Sequence, residues 1–434
     1  MVCALGPALA LATLATHGCG TSPYGTMVGP TPLPDAEPDT APDATMAPEA
    51  SAPDAPLMPS CSAQRVVHLV GGQGGLAWFS LQWPAPVVIT SPSPTFAYDD
   101  PTRASVVPES SADHPLWART IGGSVLWKGV GAHPMPTVFV SGTNETHTYT
   151  PSGTRFPLGG PDVVAAGAAL QKGYGAAVPV IGIGQVPYGP TAAPLITSAL
   201  DINAAVAAIK AKVMLTAAQE ADLRPDPVKI ATWVDKAVAP RVADLAEKLL
   251  FTANAFRLGF ATTVVIQALS DDPHGAFQST MITVVSNALT RVLDAFYVEL
   301  AKTNEPTCGW RGAKLSMADN VVMLVSGDTT KDPFDRVGWP DGTPDSSNLL
   351  YVRSNGFLRV GWFGQLIPPV GPAAARKNNF DPQTGALSMG TISDAMAKDA
   401  ALGAILYAIA RGDELAVGLS TTKPYKGVVA SPTP

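Results

Sequence analysis

TTVVIQALSDDPH, residues 262–274, decides the fold because it joins an apolar run typical of a strand to two side chains that can bind a metal ion. Two adjacent valines and an isoleucine suit a strand that is buried on both faces of a parallel sheet. Asp272 and His274 would then follow the carboxyl end of this strand, where open α/β sheets place their binding sites. The stretch therefore predicts an α/β domain with a site at this edge.

Other apolar runs of the same kind alternate with helical patterns along the chain. Strands are predicted at RVVHLV (65–70), PTVFVS (136–141), VPVIGI (178–183) and NVVMLV (320–325). Helices are predicted at 162–173, 199–213, 216–223, 227–237, 240–259, 280–303 and 393–411, and Thr216 and Gln219 have the spacing of a capping box. This alternation indicates a largely parallel central sheet flanked by helices.

Composition limits the classes of function. The chain has 434 residues, of which 46% are apolar, so it can build a sizeable core. The net charge is -7, and no cluster of Lys and Arg could follow a phosphate backbone. A nucleic-acid partner is therefore not expected.

The first 60 residues differ from the rest. Residues 1–18 are typical of an export signal, with an apolar core too short for a permanent membrane span. Cys19 follows a small residue, as in bacterial lipoprotein signals, which predicts a lipid anchor in the cell envelope. Two features depart from that pattern: no Lys or Arg precedes Arg65, and Thr16 stands where such signals have Leu. A plain secretory signal or a misassigned start codon is the alternative.

Residues 19–60 are rich in Pro, Ala and Asp and show no periodicity, which predicts a disordered tether before a single domain at 61–434. Two of the four cysteines, Cys61 and Cys308, belong to that domain. In an exported protein they predict a disulfide, because both precede strands that would begin at the same edge of a parallel sheet. Two buried, unpaired thiols are the alternative.

The order of motifs resembles an exported bacterial family of unknown function within the alkaline phosphatase and sulfatase superfamily. That family has a Gly-Gly-x-Asp-Gly loop after its first strand, where this chain has GGQGG, residues 71–75. Its Ser-His-Phe stretch corresponds to Thr146-His147-Thr148, and its Gly-Trp-Asp-Thr-His motif to SDDPH, residues 270–274. Its Ser-Glu-Phe-Gly-Arg-Thr motif corresponds to SGDTTK, residues 326–331.

The resemblance implies an alkaline phosphatase-like three-layer sandwich and metal-assisted hydrolysis of phosphate or sulfate esters. Several ligands of that chemistry are missing, since Gly74 and Gly327 stand where the family has Asp and Glu, and its last His has no counterpart. The residues left for a metal site are His147, Asp272 and His274, with Asp328 one residue out of register. Ser80, the nearest hydroxyl after the first loop, is expected within a strand.

Three interpretations of this pattern stay open. In the first, the fold is kept without catalysis, and an envelope lipoprotein binds a protein or small-molecule partner at the former cleft. In the second, His147, Asp272 and His274 hold one divalent metal, zinc, and a bound water attacks a phosphate or sulfate ester. In the third, residues 272–274 are only a turn, in which Asp272 accepts backbone N–H bonds. Whether the protein is an enzyme is left open by the sequence.

Overall fold

The central sheet is built from the apolar runs that the sequence identifies. In the computed structural model, residues 64–80, 137–141, 147, 154, 162–185, 195–270, 272, 280–305, 316–330, 347–354, 356–359, 361–367, 376–388, 390–414, 417 and 425–430 are described. All of them belong to one compact unit, Pro59–Pro434. The three central strands are β1 (Arg65–Gly71), β5 (Thr263–Gln267) and β6 (Val321–Gly327).

Five further strands complete an eight-stranded sheet within the described part of the chain. They are β2 (Thr137–Ser141), β3 (Val180–Ile183), β4 (Ile196–Ala199), β7 (Asn348–Arg353) and β8 (Gly361–Phe363). The order is β4-β3-β5-β1-β6-β7-β2-β8, and β7 alone runs against the other strands of this sheet. A separate antiparallel pair is formed by β9 (Gln365–Ile367) and β10 (Arg376–Asn378). The largely parallel α/β sheet predicted from the sequence is confirmed.

Helices cover both faces of this sheet. The described helices are α1 (Leu76–Ser80), α2 (Val163–Leu170), α3 (Ile202–Lys210), α4 (Ala217–Leu223), α5 (Pro227–Trp233), α6 (Pro240–Arg257), α7 (Thr280–Ala301) and α8 (Asp394–Ile409). Along β1, Val67 and Leu69 pack with α1 and α3 to α7, whereas Val66 and Val70 pack with α2 and α8. The alternation of side chains across a strand thus divides the core into two layers.

Helix starts follow the capping signals. Thr216 and Gln219 form the predicted capping box at the start of α4, with each side chain bonded to the other's backbone N–H. Asp162 caps α2, and Ser393 caps α8. Two local predictions were wrong: Ala199, expected in a helix, ends β4, and Ser80, expected in a strand, ends α1.

A buried ionic network joins four segments at the amino-terminal edge of the sheet. Glu305, after α7, accepts a hydrogen bond of 2.6 Å from Nη2 of Arg65 and one of 2.9 Å from Nδ2 of Asn320. Asn320, just before β6, accepts in turn from Arg411 at 2.7 Å, just after α8. Because every partner is buried, removing any one of them would leave an unpaired polar group in the interior.

One histidine lies deep within the sheet. His68 on β1 is 2% exposed, and its Nε2 lies 2.7 Å from Oγ of Ser326 on β6. Burial lowers the pKa of His68 to about 3, so the ring is neutral at physiological pH. This residue therefore belongs to the packing of the core.

Candidate functional site

The site begins with an acidic side chain that holds the loop after β1. Asp328, directly after β6, accepts the backbone N–H of Gln73 with Oδ2 at 2.8 Å and that of Gly74 with Oδ1 at 3.2 Å. Both residues have positive φ, 52° at Gln73 and 85° at Gly74. In that conformation, successive N–H groups can converge on one anionic group. The carboxylate of Asp328 occupies this position.

Burial sets the electrostatics of Asp328. The residue is 2% exposed, and loss of hydration raises the pKa of its carboxyl group above the ordinary value. Hydrogen bonds from Gly74, Gln73 and the Thr329 side chain oppose this rise because they favour the ionised form. The carboxylate is thus compensated by loop donors, as a buried acidic group requires.

Asp272 reaches the same loop from the neighbouring strand. It lies five residues past the end of β5, and a Cβ built on Gly74 would be 2.9 Å from both Cβ and Cγ of Asp272. Gly74 also has φ of +85°, a conformation that side chains of L residues rarely adopt. Position 74 therefore has no room for the acidic residue of the family motif while Asp272 stays in place.

His147 completes the cluster from the segment after β2. Its Nε2 lies 3.4 Å from Oδ2 of Asp272, and the two side chains are 39% and 19% exposed. Its backbone N–H donates to Oγ1 of Thr329 at 2.8 Å, and its φ is 51°. Strained backbone of this kind persists where surrounding contacts hold it. Thr329 thus links His147 to the Asp328 carboxylate.

Gly327 is closed to any side chain. A Cβ at this position would lie 2.3 Å from the carbonyl oxygen of Gly71 and 2.5 Å from Cβ of Leu76. Its neighbours are the end of β1 and the first residue of α1, which the register of β1 and β6 places against it. The glutamate of the family motif could not stand here without separating these two strands.

The structure brings together some of the residues expected at a metal site. His147 and Asp272 are in contact, and Asp328 is hydrogen-bonded to the loop that Asp272 packs against. His274 lies outside the described residues, as do Cys19, Cys61 and Cys308. Among the residues that the structure describes, no group of three or more His, Cys, Asp or Glu side chains could hold a metal ion.

Sequence reasoning did not identify Gln73 or Thr329 as part of the site. Gln73 contributes a backbone N–H, which leaves no trace in side-chain chemistry. Thr329 follows Asp328 directly, just past the end of the predicted strand at 320–325. A polar residue at that position could have been predicted to belong to the site.

The chain was compared with protein-family models, with curated proteins and with solved structures, and none of them matches it. Within the part of the chain that the structure describes, no helix is both long enough and apolar enough to cross a membrane.

Gly327→Ala tests whether position 327 is sterically closed. We expect it to lower the free energy of unfolding by about 3 kcal/mol, because a methyl group would overlap the Gly71 carbonyl. Urea denaturation followed by circular dichroism measures the change. Gly173→Ala is the matched control, since its Cβ would meet nothing within 4 Å, and we expect a change within about 1 kcal/mol. Equal effects of the two substitutions would contradict the steric argument.

Proposed function

We propose that this protein is an exported envelope lipoprotein whose alkaline phosphatase-like domain has lost its catalytic metal site and binds a ligand or partner at the former cleft. One observation carries the proposal: both carboxylate oxygens of Asp328 accept N–H groups of the loop after β1. An acidic residue whose two oxygens both anchor a loop has fewer free lone pairs and less freedom to turn toward a metal ion.

The proposed relation to alkaline phosphatases and sulfatases rests on architecture and motif order together. A mostly parallel sheet has helices on both faces, and β1, β5 and β6 end at one edge with His147, Asp272 and Asp328 around a Gly-rich loop. That edge is where parallel α/β sheets carry their ligands. We therefore assign ligand or partner binding to this edge.

A count of ligands favours a non-catalytic role. A catalytic zinc site uses three protein ligands and an open position, and paired-metal sites need more. Of the described residues, His147 and Asp272 provide one nitrogen and one carboxylate. Gly74 and Gly327 cannot supply the missing acids, because a side chain at either position would overlap its neighbours.

The second candidate is a hydrolase of phosphate or sulfate esters with a single zinc. The observation in its favour is the separation of 3.4 Å between Nε2 of His147 and Oδ2 of Asp272. Two donors on one tetrahedral zinc, each about 2.0–2.1 Å from the metal, would be roughly 3.3 Å apart. His274 would be the third ligand, and a zinc-bound water would be the nucleophile.

The third interpretation, in which residues 272–274 form only a turn, is less well supported by the contacts of Asp272. Asp272 contacts His147 and Gly74, which belong to two other segments of the chain. A local turn needs neither contact. A surface formed by three segments is better suited to holding a bound molecule.

Metal content separates the two candidate functions. We expect protein purified at neutral pH after exposure to zinc to contain much less than one zinc per chain by plasma mass spectrometry, because two ligands bind zinc weakly. Asp272→Ala and His274→Ala should not change this value. Asp222→Ala, which removes an exposed carboxylate paired with Arg257 at 3.5 Å, is the control.

One zinc per chain that disappears in both site variants and persists in Asp222→Ala would overturn the non-catalytic proposal. The same result would support the hydrolase candidate. Ester hydrolysis by the zinc-loaded protein would then be measured directly.

The disulfide between Cys61 and Cys308 is part of the proposal of export. The Arg65–Glu305 ion pair of 2.6 Å joins the two parts of the chain that contain these cysteines. Cys61 is four residues before Arg65, and Cys308 is three residues after Glu305. These short separations from one shared ion pair support the proposed pairing, since one residue spans at most about 3.3–3.6 Å.

Mass spectrometry of the protein from a bacterial envelope tests both modifications. We expect a chain that begins at Cys19, carries the mass of a lipid, and gives a Cys61–Cys308 linked peptide without reductant. Cys19→Ser should move the protein from the membrane fraction to the soluble fraction. A mature chain without lipid, or free thiols at both positions in the unfolded protein, would contradict the corresponding part of the proposal.

A further inference from the structure

A cavity lies on the helical layer that covers one face of the sheet, away from the cluster around Asp272. Its volume is about 690 Å³, and it is bounded by the first turn of α3, the turn between α4 and α5, one side of α5, and α6. None of its lining residues belongs to the cluster around Asp272. Volumes of about 300–1,000 Å³ are typical of sites for small organic ligands.

The floor of this cavity is apolar. It is formed by Ile202, Pro225, Pro227, Ile230 and Val234. Two prolines limit backbone motion, and Ile230 and Val234 are buried in the core, so the floor is held in place before any ligand arrives. An apolar group seated here would lose contact with water at little cost in ordering the protein.

The lining of this cavity includes a partly exposed cation, Arg224. Its Nη1 donates to Oδ1 of Asn203 at 2.6 Å and its Nη2 lies 3.4 Å from Oε1 of Glu220, which Lys210 also contacts at 2.8 Å. Two cations therefore share one carboxylate. The Arg224 side chain is 47% exposed and has further N–H groups that these contacts do not use. A planar guanidinium of this kind is suited to binding a carboxylate.

The lining also includes a carboxylate, that of Asp235. Lys236 pairs with Glu247 at 3.2 Å, which leaves the carboxylate of Asp235 without a cation of its own among these lining residues. Oδ1 of Asp235 accepts the backbone N–H of Ala237 at 2.9 Å, which fixes the side chain. The Asp235 carboxylate is suited to pairing with an ammonium group.

We propose that this cavity binds a short apolar peptide with free termini, two or three residues long. Arg224 receives the terminal carboxylate, Asp235 the terminal ammonium, and the apolar floor the side chains. A simple anion or cation would pair with only one of these two side chains, and a single amino acid would leave much of the volume empty. The proposal does not depend on the role of the Asp272 cluster.

Calorimetric titration of the full-length protein with L-leucyl-L-leucine tests the proposal. We expect a Kd below about 1 mM. N-acetyl-leucyl-leucine, which lacks the ammonium group, and leucyl-leucine amide, which lacks the carboxylate, should each bind about tenfold more weakly or worse. These three ligands have the same two leucine side chains. Differences in their affinities therefore measure the contributions of Arg224 and Asp235.

Two variants locate the site. Arg224→Met keeps the apolar stem and removes the donors, and Asp235→Asn keeps the hydrogen bond to Ala237 and removes the charge. Each should weaken binding of leucyl-leucine by about tenfold. Arg257→Met is the control, because Arg257 is an exposed residue of α6 outside the cavity, and it should bind like the unmodified protein.

Three results would overturn the proposal. They are no detectable heat of binding with leucyl-leucine up to about 10 mM, equal affinity for the blocked peptides, or unchanged affinity in Arg224→Met and Asp235→Asn. All three variants change exposed charged side chains, so circular dichroism should show the same fold in each.

Discussion

The hydrogen bonds from Gln73 and Gly74 to the carboxylate of Asp328 determine how the carboxyl edge of the sheet is built. They keep the loop after β1 in a conformation with two successive positive φ angles. That conformation brings Gly74 against Asp272, which in turn contacts His147. Thr329 connects His147 back to Asp328, so the four segments at this edge are joined in a closed circuit. The carboxylate of Asp328 is therefore already hydrogen-bonded within the protein.

Close packing at this edge requires positions without side chains, whereas a metal site would require acidic side chains there. Gly74 and Gly327 let backbone and side chains approach to distances that no Cβ would allow. A metal centre instead needs acidic side chains that project from such positions into a shared space. The contacts at this edge therefore favour a rigid surface for recognition over a cage for a cation. Asp272 and His147 are partly exposed at this edge, and in the proposed function they face the bound molecule.

Much of the fold could be predicted from the sequence. The strands β1, β5 and β6 are short apolar runs that only a sheet buried on both faces would bury, and the capping box at Thr216 is a local signal. The strand β8 was missed because it has three residues, too few for a recognisable alternation. The strand β4 has four residues, like β3, but its sequence ITSA has two small polar residues where β3 is apolar. The sequence of β7, NLLYVR, has the apolar composition of a strand. It was not predicted because the Pro, Asp and Ser residues before it indicate a loop.

The site was predictable in position more than in role. Placing Asp272 and Asp328 at strand ends needed only the rule that parallel strands end at a common edge, whereas His147 was placed through the family resemblance. The role of Asp328 could not be predicted, since its partners are backbone N–H groups that every residue except proline possesses. The same limit applies to Gly327, whose lack of space follows from the Gly71 carbonyl and Leu76. A sequence shows which side chains are present. At this site, contacts with the backbone determine the role of Asp328 and the lack of space at Gly327.

The amide resonances of Gln73 and Gly74 test the central claim most directly, because they report whether Asp328 stays on the loop when a metal is offered. In nitrogen-15 correlation spectra, both amides should shift strongly in Asp328→Ala, which removes the acceptor. Addition of zinc to the unmodified protein should leave both resonances where they are. Zinc that shifts both amides as far as Asp328→Ala does would show that the carboxylate leaves the loop to bind metal, and would contradict this account.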